Sequence, residues 1–453
     1  MKKPNCNQEI NLTIQDLGSH GEGVGFWDGY AVFVDGALPG EFIQARLFEI
    51  KKRCGRGRLQ KLIEASEDRV KPSCSLADRC GGCQIMHLSY EKQLEIKKKR
   101  VIAALERIGK LFNVEVLSCL PSPSPLHYRN KIQLFTNHGA KGIEIGFYER
   151  LSHKLIPVQE CRIHCSLGEE IFQKLKGLLH KTDLRGYDKK GGKGQLCSII
   201  LRTTLRTKQC FVVLVTNSHR VSQKLLDLAK AIFSCHPAIK GVIQKVEFKR
   251  GRPRFGKEYH LLEGVENIYE ELCLLSFKVS PASFFQVNPL QAEAIYREAL
   301  RCAQVCQKDI VLDAYCGVGT LASIFSFHVQ KVYGIECSRE AIEDANENVQ
   351  MNGIRNVEFI CGLAEEEVKS IEGIDILLIN PPRKGCELSF LKEVERLSPR
   401  RIVYISCDPA TLSRDLAILK GFSYSIGVIQ PFDMFPQTAH VECLVALEKD
   451  FSV

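Results

Sequence analysis

Over residues 8 to 66, hydrophobic and polar positions alternate in short runs such as YAVFVDG and IQARLFEI, separated by the glycine turns GSHGEGVGFWDGY and ALPGE. A period of two puts the apolar side chains on one face of each strand. The stretch therefore predicts a small five-stranded barrel of the OB type, whose exposed face and basic loops can follow a nucleic-acid backbone. From about residue 270 the pattern changes. Short apolar strands, DIVLD (309 to 313), KVYGIE (331 to 336), VEFI (357 to 360), IDILLIN (374 to 380), RIVYISC (401 to 407) and VECLVALE (441 to 448), alternate with helical segments. That alternation predicts an α/β unit: a mainly parallel, doubly wound, Rossmann-like sheet with ligands at its C-terminal strand edges. The middle of the chain is mixed α+β. It holds the basic helical stretch YEKQLEIKKKRVIAALERIG (90 to 109), the strand-like runs SIILRTTL and FVVLVTN, and a proline stretch, PSPSP (121 to 125), that marks a loop or hinge. The expected division is residues 1–66, 67–268 and 269–453, with the basic helix able to pack on either neighbour.

Composition narrows the class. Hydrophobic content of 45% and charge of 25% in 453 residues are ordinary for a globular protein with several cores. No stretch of about 18 apolar residues occurs and MKKPNCNQEI lacks an apolar signal region, so a cytoplasmic, non-membrane protein is expected; the sequence leaves its oligomeric state open, with a monomer expected. The net charge of +9 gathers in KKRCGRGR (51 to 58), KKKR (97 to 100) and KRGRPRFGK (249 to 257), which suggests a polyanionic partner, RNA or DNA. Twenty cysteines in a large chain of this kind point to reduced thiols, metal ligands or catalysis rather than disulfides.

The candidate chemistry lies on the strand edges. DAYCGVGT (313 to 320) joins the first strand to a helix, and Gly317 and Gly319 let the backbone approach a ligand closely. Glu336 ends the next strand, where a carboxylate can accept hydrogen bonds from ribose hydroxyls. With INPPRKG (379 to 385) at the fourth strand edge, this set is more similar to S-adenosylmethionine-dependent methyltransferases than to dehydrogenases. The run YISCDPATLSRDL (404 to 416) stops a strand on Cys407 followed by Asp-Pro, which a strand cannot continue through. Cys407 then sits beside a helix start whose dipole favours a thiolate. Glu442 lies in an otherwise apolar strand, where burial raises a carboxyl toward the range of a general base. A thiolate adding to carbon 6 of uracil makes carbon 5 nucleophilic enough to take a methyl group, and a base must then remove the carbon 5 proton. Cys407 and Glu442 suit those two roles.

Taken together, SPASFFQVNP (280 to 289), LDAYCGVGT, INPPRKG, YISCDPATLSRDL and HVEC resemble, in order and spacing, the bacterial RNA (uracil-5-)-methyltransferases, and GEGVGFWDGYAVFVDGALPGE resembles a TRAM domain, an RNA-binding barrel. The resemblance implies Cys407 as nucleophile and Glu442 as base, with Gln286, Tyr315, Glu336 and Asn380 binding S-adenosylmethionine. Two positions depart from the pattern: many members carry aspartate where Asn380 stands, and Leu363 replaces a polar residue often found near the adenine. Members with both barrel and cysteine cluster usually act on 23S ribosomal RNA, so that substrate is expected ahead of transfer RNA. Cytosine-5 methylation is a second enzyme reading, although INPPRKG lacks the extra cysteine of those enzymes. A non-catalytic, redox-sensing RNA-binding protein is the reading from another class.

CSLADRCGGC (74 to 83) sets Cys74, Cys80 and Cys83 close together, and CRIHC offers Cys161 or Cys165 as a fourth ligand. Zinc and a [4Fe-4S] cluster both suit four thiolates. The resemblance implies [4Fe-4S], held by Cys74, Cys80, Cys83 and Cys161.

Overall fold

A computed structural model describes residues 3–139, 142–150, 152, 154–188, 191–247 and 259–450. The basic run at 249 to 257 falls outside the described residues. Strands β1 (Glu9–Leu17), β2 (Gly23–Trp27), β3 (Tyr30–Asp35), β4 (Phe42–Ile50) and β5 (Cys54–Glu64) close into a barrel in the order β1-β2-β3-β5-β4. Its inward positions are the apolar half of the alternation: Leu12, Ile14, Val32, Val34, Ile43, Ala45 and Leu47 form the core. Outside, Phe26 and Phe48 are exposed, Arg58 lies 5.5 Å over the Phe48 ring, and Lys51, Lys52 and Arg53 project from the β4–β5 turn.

The middle region begins with the helix α1 (Tyr90–Ala104) and builds a sheet from β6 (Lys131–Gly139), β7 (Gly142–Tyr148), β8 (Leu155–Pro157), β9 (Leu196–Thr203), β10 (Cys210–Thr216), β11 (Ile239–Val246) and β12 (Tyr259–Gly264), in the order β12-β11-β10-β9-β6-β7-β8. Helices α2 (Ser166–Leu179) and α3 (Gln223–Cys235) cover it. A hairpin, β13 (Ile268–Leu272) and β14 (Leu275–Val279), leads into the last unit.

The last unit contains α4 (Pro289–Ala303), β15 (Ile310–Asp313), α5 (Thr320–Ser326), β16 (Lys331–Glu336), α6 (Arg339–Met351), β17 (Val357–Cys361), α7 (Ala364–Glu367), β18 (Ile376–Ile379), α8 (Leu388–Leu397), β19 (Arg401–Ser406), α9 (Pro409–Gly421), β20 (Tyr424–Phe432) and β21 (Glu442–Lys449). The strand order is β17-β16-β15-β18-β19-β21-β20, parallel from β17 to β19, with β21 antiparallel to both its neighbours. The order reverses between β15 and β18, the switch point where an open α/β sheet leaves a crevice. Every predicted strand of this unit is present. Sequence reading missed β20, whose Gly427 and Pro431 blur the alternation and whose pairing with β21 slips between Ile426 and Ile429.

The basic helix takes the C-terminal neighbour. Val101 and Leu105 join Leu412, Leu416 and Leu419 of α9 in one core. Beyond it, Val116 and Leu120 bridge to Ile429 and Phe432 of β20 and so extend that sheet. The PSPSP loop is pinned, not hinged: Ser122 is buried, its N–H donates to the Tyr90 hydroxyl, and its own hydroxyl accepts from Asn288.

Candidate active site

A cavity of about 680 Å³ opens at the C-terminal ends of β15, β16, β18 and β19, and Gln286, Tyr315, Glu336, Asn380, Cys407 and Glu442 all line it. Six residues separated by up to 156 positions in the chain thus meet at one crevice.

The glycine turn shapes one end. Gly319, at φ +76°, caps α5, and a Cβ there would come within 2.6 Å of the Phe359 ring, whereas Gly317, at φ +54°, faces open space. Glu336 is fixed by backbone amides, Oε2 accepting from Gly317 N at 3.2 Å and Oε1 from Ser338 N at 2.9 Å. Tyr315 meets Phe390 edge-on at 5.6 Å. The loop before α4 presents Gln286, whose backbone oxygen accepts from Asn130 Nδ2 at 3.1 Å. Leu363, partly exposed, lines the wall near Glu336. Asp313, buried beneath the turn, is pushed up to about 7 by that burial.

At the other end, Cys407 follows β19. The helix start beside it does not offer Cys407 its free first-turn amides. Asp408 is the N-cap of α9 and takes the first-turn amides itself, accepting from Ala410 N at 2.8 Å and Thr411 N at 3.2 Å. Burial, reinforced by the charge of Glu442 and only partly offset by Arg383, pushes the Cys407 thiol up to about 11. Glu442 is the first residue of β21 and is buried; burial raises its carboxyl to about 8, with Arg383 again opposing. The site at rest therefore holds a proton on each group near neutral pH.

Sequence reading quoted INPPRKG and HVEC but gave Arg383 and His440 no role; both line the cavity. His440 stands two residues before Glu442, in the loop that leads into β21. Burial, followed by the charges of Arg383, Arg100 and Lys97, holds its imidazole down at about 4, so it is neutral at physiological pH. Its ring meets Phe435 edge-on at 6.1 Å. The loop carrying Arg383 is held from beneath: Asp415 accepts from Cys386 N at 3.0 Å and the Tyr404 hydroxyl at 2.7 Å, while Arg414 donates to the carbonyls of Lys384 and Cys386.

The cysteine loop lies apart from this cavity. Cys74, Cys83 and Cys161 pack against Met86, Tyr128 and Ile163. Burial raises Cys83 strongly, with Cys161, Cys80 and Cys74 each adding to the effect; burial and Cys80 raise Cys161 to about 11. Cys165 is engaged elsewhere, its sulfur 2.9 Å from the Thr203 hydroxyl. Among the described residues no group of three or more His, Cys, Asp or Glu is drawn together as a ready metal site. The donor set still fits a thiolate-binding group chemically, because Cys83 and Cys161, whose ionisation the neighbouring thiols oppose, are what a bound cation would stabilise. The basic run at 97 to 100 does not present the face its charge suggested. Lys97 is buried against Asp433, and Arg100 donates to the Ala439 carbonyl.

A switch-point crevice with a glycine turn, a strand-end carboxylate, a half-buried thiol and a buried carboxyl defines the class: an S-adenosylmethionine-dependent methyltransferase. The chain belongs to the tRNA (uracil-5-)-methyltransferase family, whose description matches residues 89–450, and residues 5–59 match the TRAM domain. It is similar to RNA methyltransferases of Clostridium acetobutylicum, 41% identical over 98% of this chain and 97% of that one, and of Halalkalibacterium halodurans, 39% identical over 98% of each. Among solved structures, the Pyrococcus abyssi tRNA (uracil-54, C5)-methyltransferase in complex with S-adenosyl-L-homocysteine superposes with a TM-score of 0.77 at 29% identity, covering 97% of this chain and 100% of that one. The protein is an RNA methyltransferase that uses S-adenosylmethionine. Among the described residues no helix is long and apolar enough to cross a membrane.

Proposed function

We propose that this protein methylates carbon 5 of a uridine in RNA, with 23S ribosomal RNA as the substrate, through a covalent bond between Cys407 Sγ and uracil carbon 6. The observation that carries the reading is the meeting of Cys407 and Glu442 in one cavity with the four residues assigned to the methyl donor. Gln286, Tyr315, Glu336 and Asn380 hold S-adenosylmethionine, which supplies an electrophilic methyl group. Cys407, having released its proton to solvent, adds as the thiolate to carbon 6 of a base flipped into the crevice, at a cost of a few kcal/mol for unstacking. Carbon 5 takes the methyl group as its bond to the donor sulfur breaks, and the donor leaves as S-adenosylhomocysteine. Glu442 then takes the carbon 5 proton; the electrons of that C–H bond re-form the carbon 5–carbon 6 double bond, and the C–S bond breaks. Arg383 stands where its charge favours the ionised form of both groups, which eases loss of the protons they hold at rest. Cys74, Cys80, Cys83 and Cys161 hold a [4Fe-4S] cluster that braces the RNA-binding surface; iron and acid-labile sulfide in near-equal amounts, about four of each per chain, are expected.

A second substrate reading has support. The Pyrococcus abyssi enzyme that acts on uracil 54 of transfer RNA covers nearly the whole of this chain, barrel included, so the barrel by itself does not separate the two RNAs. Methyl transfer from labelled S-adenosylmethionine to unmodified 23S ribosomal RNA and to transfer RNA, with Cys407→Ala alongside and nucleoside mass spectrometry afterwards, tests both readings. 5-Methyluridine in the ribosomal RNA alone, absent with the variant, is the expected result. Product in transfer RNA alone overturns the substrate, and product made by Cys407→Ala overturns the nucleophile.

A further inference from the structure

The segment 433 to 441, DMFPQTAHV, joins β20 to β21 and ends on Glu442. It contributes Phe435 and His440 to the cavity. Its backbone is held by donors from outside itself. The Met434 carbonyl accepts from Asn288 Nδ2 at 3.2 Å, the Phe435 carbonyl from Lys97 Nζ at 3.2 Å, the Pro436 carbonyl from the Tyr128 hydroxyl at 3.2 Å, the Gln437 carbonyl from Ile85 N at 3.1 Å, and the Ala439 carbonyl from Arg100. Such saturation is unusual for a hairpin loop, whose carbonyls ordinarily face water.

One helix supplies most of the side-chain grip. On α1, residues 93, 97 and 100 recur at helical spacing, so Gln93, Lys97 and Arg100 share a face, and it points inward although it is polar. Gln93 and Lys97 are each 1% exposed. The Gln93 amide makes a two-way pair with Gln437, donating to its Oε1 at 3.0 Å and accepting from its N–H at 3.1 Å. Gln437 needs such a partner because it sits at φ +68°, a left-handed conformation that a glutamine adopts only when its surroundings impose it. Lys97 forms a fully buried ion pair with Asp433, which also accepts from the Tyr90 hydroxyl at 2.8 Å. Asp433 directly follows Phe432, the residue paired in register with Glu442. The clamp thus grips the hairpin at the point opposite the base, and Gln93, Lys97 and Arg100 do not themselves line the cavity.

We infer that Gln93, Lys97 and Arg100 of α1 are positioning residues for the reaction, holding the 433–441 loop so that Glu442 is aimed at the carbon 5 proton. The inference rests on the reading of Glu442 as the base. A buried lysine–aspartate pair is a poor device for stability alone, since its desolvation cancels most of its attraction. It does impose one geometry on the loop, and a base must be held within a few tenths of an ångström. The donor-binding residues Gln286, Tyr315 and Glu336 lie on other elements, so loosening the clamp separates donor binding from proton removal.

The test is the double variant Lys97→Met/Asp433→Asn in the full chain, which removes the pair without leaving a buried charge. Three quantities are measured: S-adenosylmethionine affinity by calorimetry, kcat and KM for methyl transfer to RNA, and the protein–RNA covalent complex that survives denaturing gel electrophoresis. The expected result is donor affinity within about twofold of wild type, kcat lower by about a hundredfold, and accumulation of the covalent complex, because carbon 5 keeps its proton and the thiolate cannot leave. Arg100→Met, at the half-buried end of the clamp, is expected to do the same more weakly and decides the matter if the double variant does not fold. Unchanged kcat, or a fall in kcat matched by donor affinity without covalent complex, overturns the inference. A wild-type protein that methylates neither RNA is a separate outcome, seen before any variant is made, and overturns the assignment of Glu442 on which the clamp rests.

Discussion

At the scale of single residues the site is governed by desolvation. Glu442 holds its proton up to about pH 8 because its carboxylate is buried, with Arg383 opposing only in part. In its proposed role as base it must be ionised, and Cys407, raised to about 11, must lose its proton as well, so the methylation rate is expected to climb steeply with pH up to about 8 and to go on rising, about tenfold per unit, above it. A pH profile of kcat that is flat from 6 to 9 would contradict this. The same shift has a cost in stability. Because the folded protein binds this proton more tightly than the unfolded chain, the group's contribution is complete below about pH 4.5 and is lost as pH rises toward 8. Glu442→Gln should therefore be inactive yet more stable than wild type by about 3 kcal/mol at pH 7, with the gap closing by pH 4.5. Denaturant unfolding of both proteins at several pH values measures it. Cys407 shows the limit of reading a thiol from its place in the chain. The helix start beside it is real, but Asp408, the next residue, occupies the amides that would have favoured the thiolate.

At the scale of elements, two short segments carry Arg383 and the proposed base Glu442, and each is braced from behind. The loop after β18 that presents Arg383 is tied to Asp415, which is fully buried and serves Cys386, Tyr404 and Arg414 together. Asp415→Ala leaves that arginine and two donors without their acceptor, so a loss of about 3–5 kcal/mol is expected in denaturant unfolding, against a surface-like change for a substitution at the exposed Lys384. The Glu442 hairpin is braced by α1, and here sequence reading went furthest astray. KKKR is a charge run, and charge runs ordinarily face solvent. Only the fold reveals that Lys97 has a buried aspartate waiting 336 residues away, while the exposed Lys99 behaves as expected. No periodicity in a helix announces a polar inward face, because its partners come from the far end of the chain.

At the scale of the whole molecule, the barrel is seated against the middle region. Arg69 holds the buried Glu41 of the barrel from the segment before the cysteine loop, and Arg150 donates to the His20 carbonyl at 2.9 Å. Gly21, at φ +79°, packs so tightly on Gln84 that a Cβ would come within 2.8 Å of it. The exposed cations Lys51, Lys52 and Arg53 thus have a fixed place relative to the middle region. Reversing all three to glutamate should weaken RNA binding at least about tenfold and flatten its salt dependence, with S-adenosylmethionine affinity unchanged; filter binding across a salt series measures it. What the sequence determined by itself is what local chemistry dictates. Period-two runs and glycine turns specify the barrel, strand–helix alternation specifies the doubly wound sheet, and the breaks after Asp313, Ile379 and Ser406 mark its C-terminal edges, since each depends on neighbours a few residues apart. The tertiary structure alone decided which residues are ionised in the crevice, which basic residues face inward, and that α1 and the segment 116–120 pack on the catalytic unit. Those properties depend on desolvation and on partners hundreds of residues distant, which no window of sequence contains.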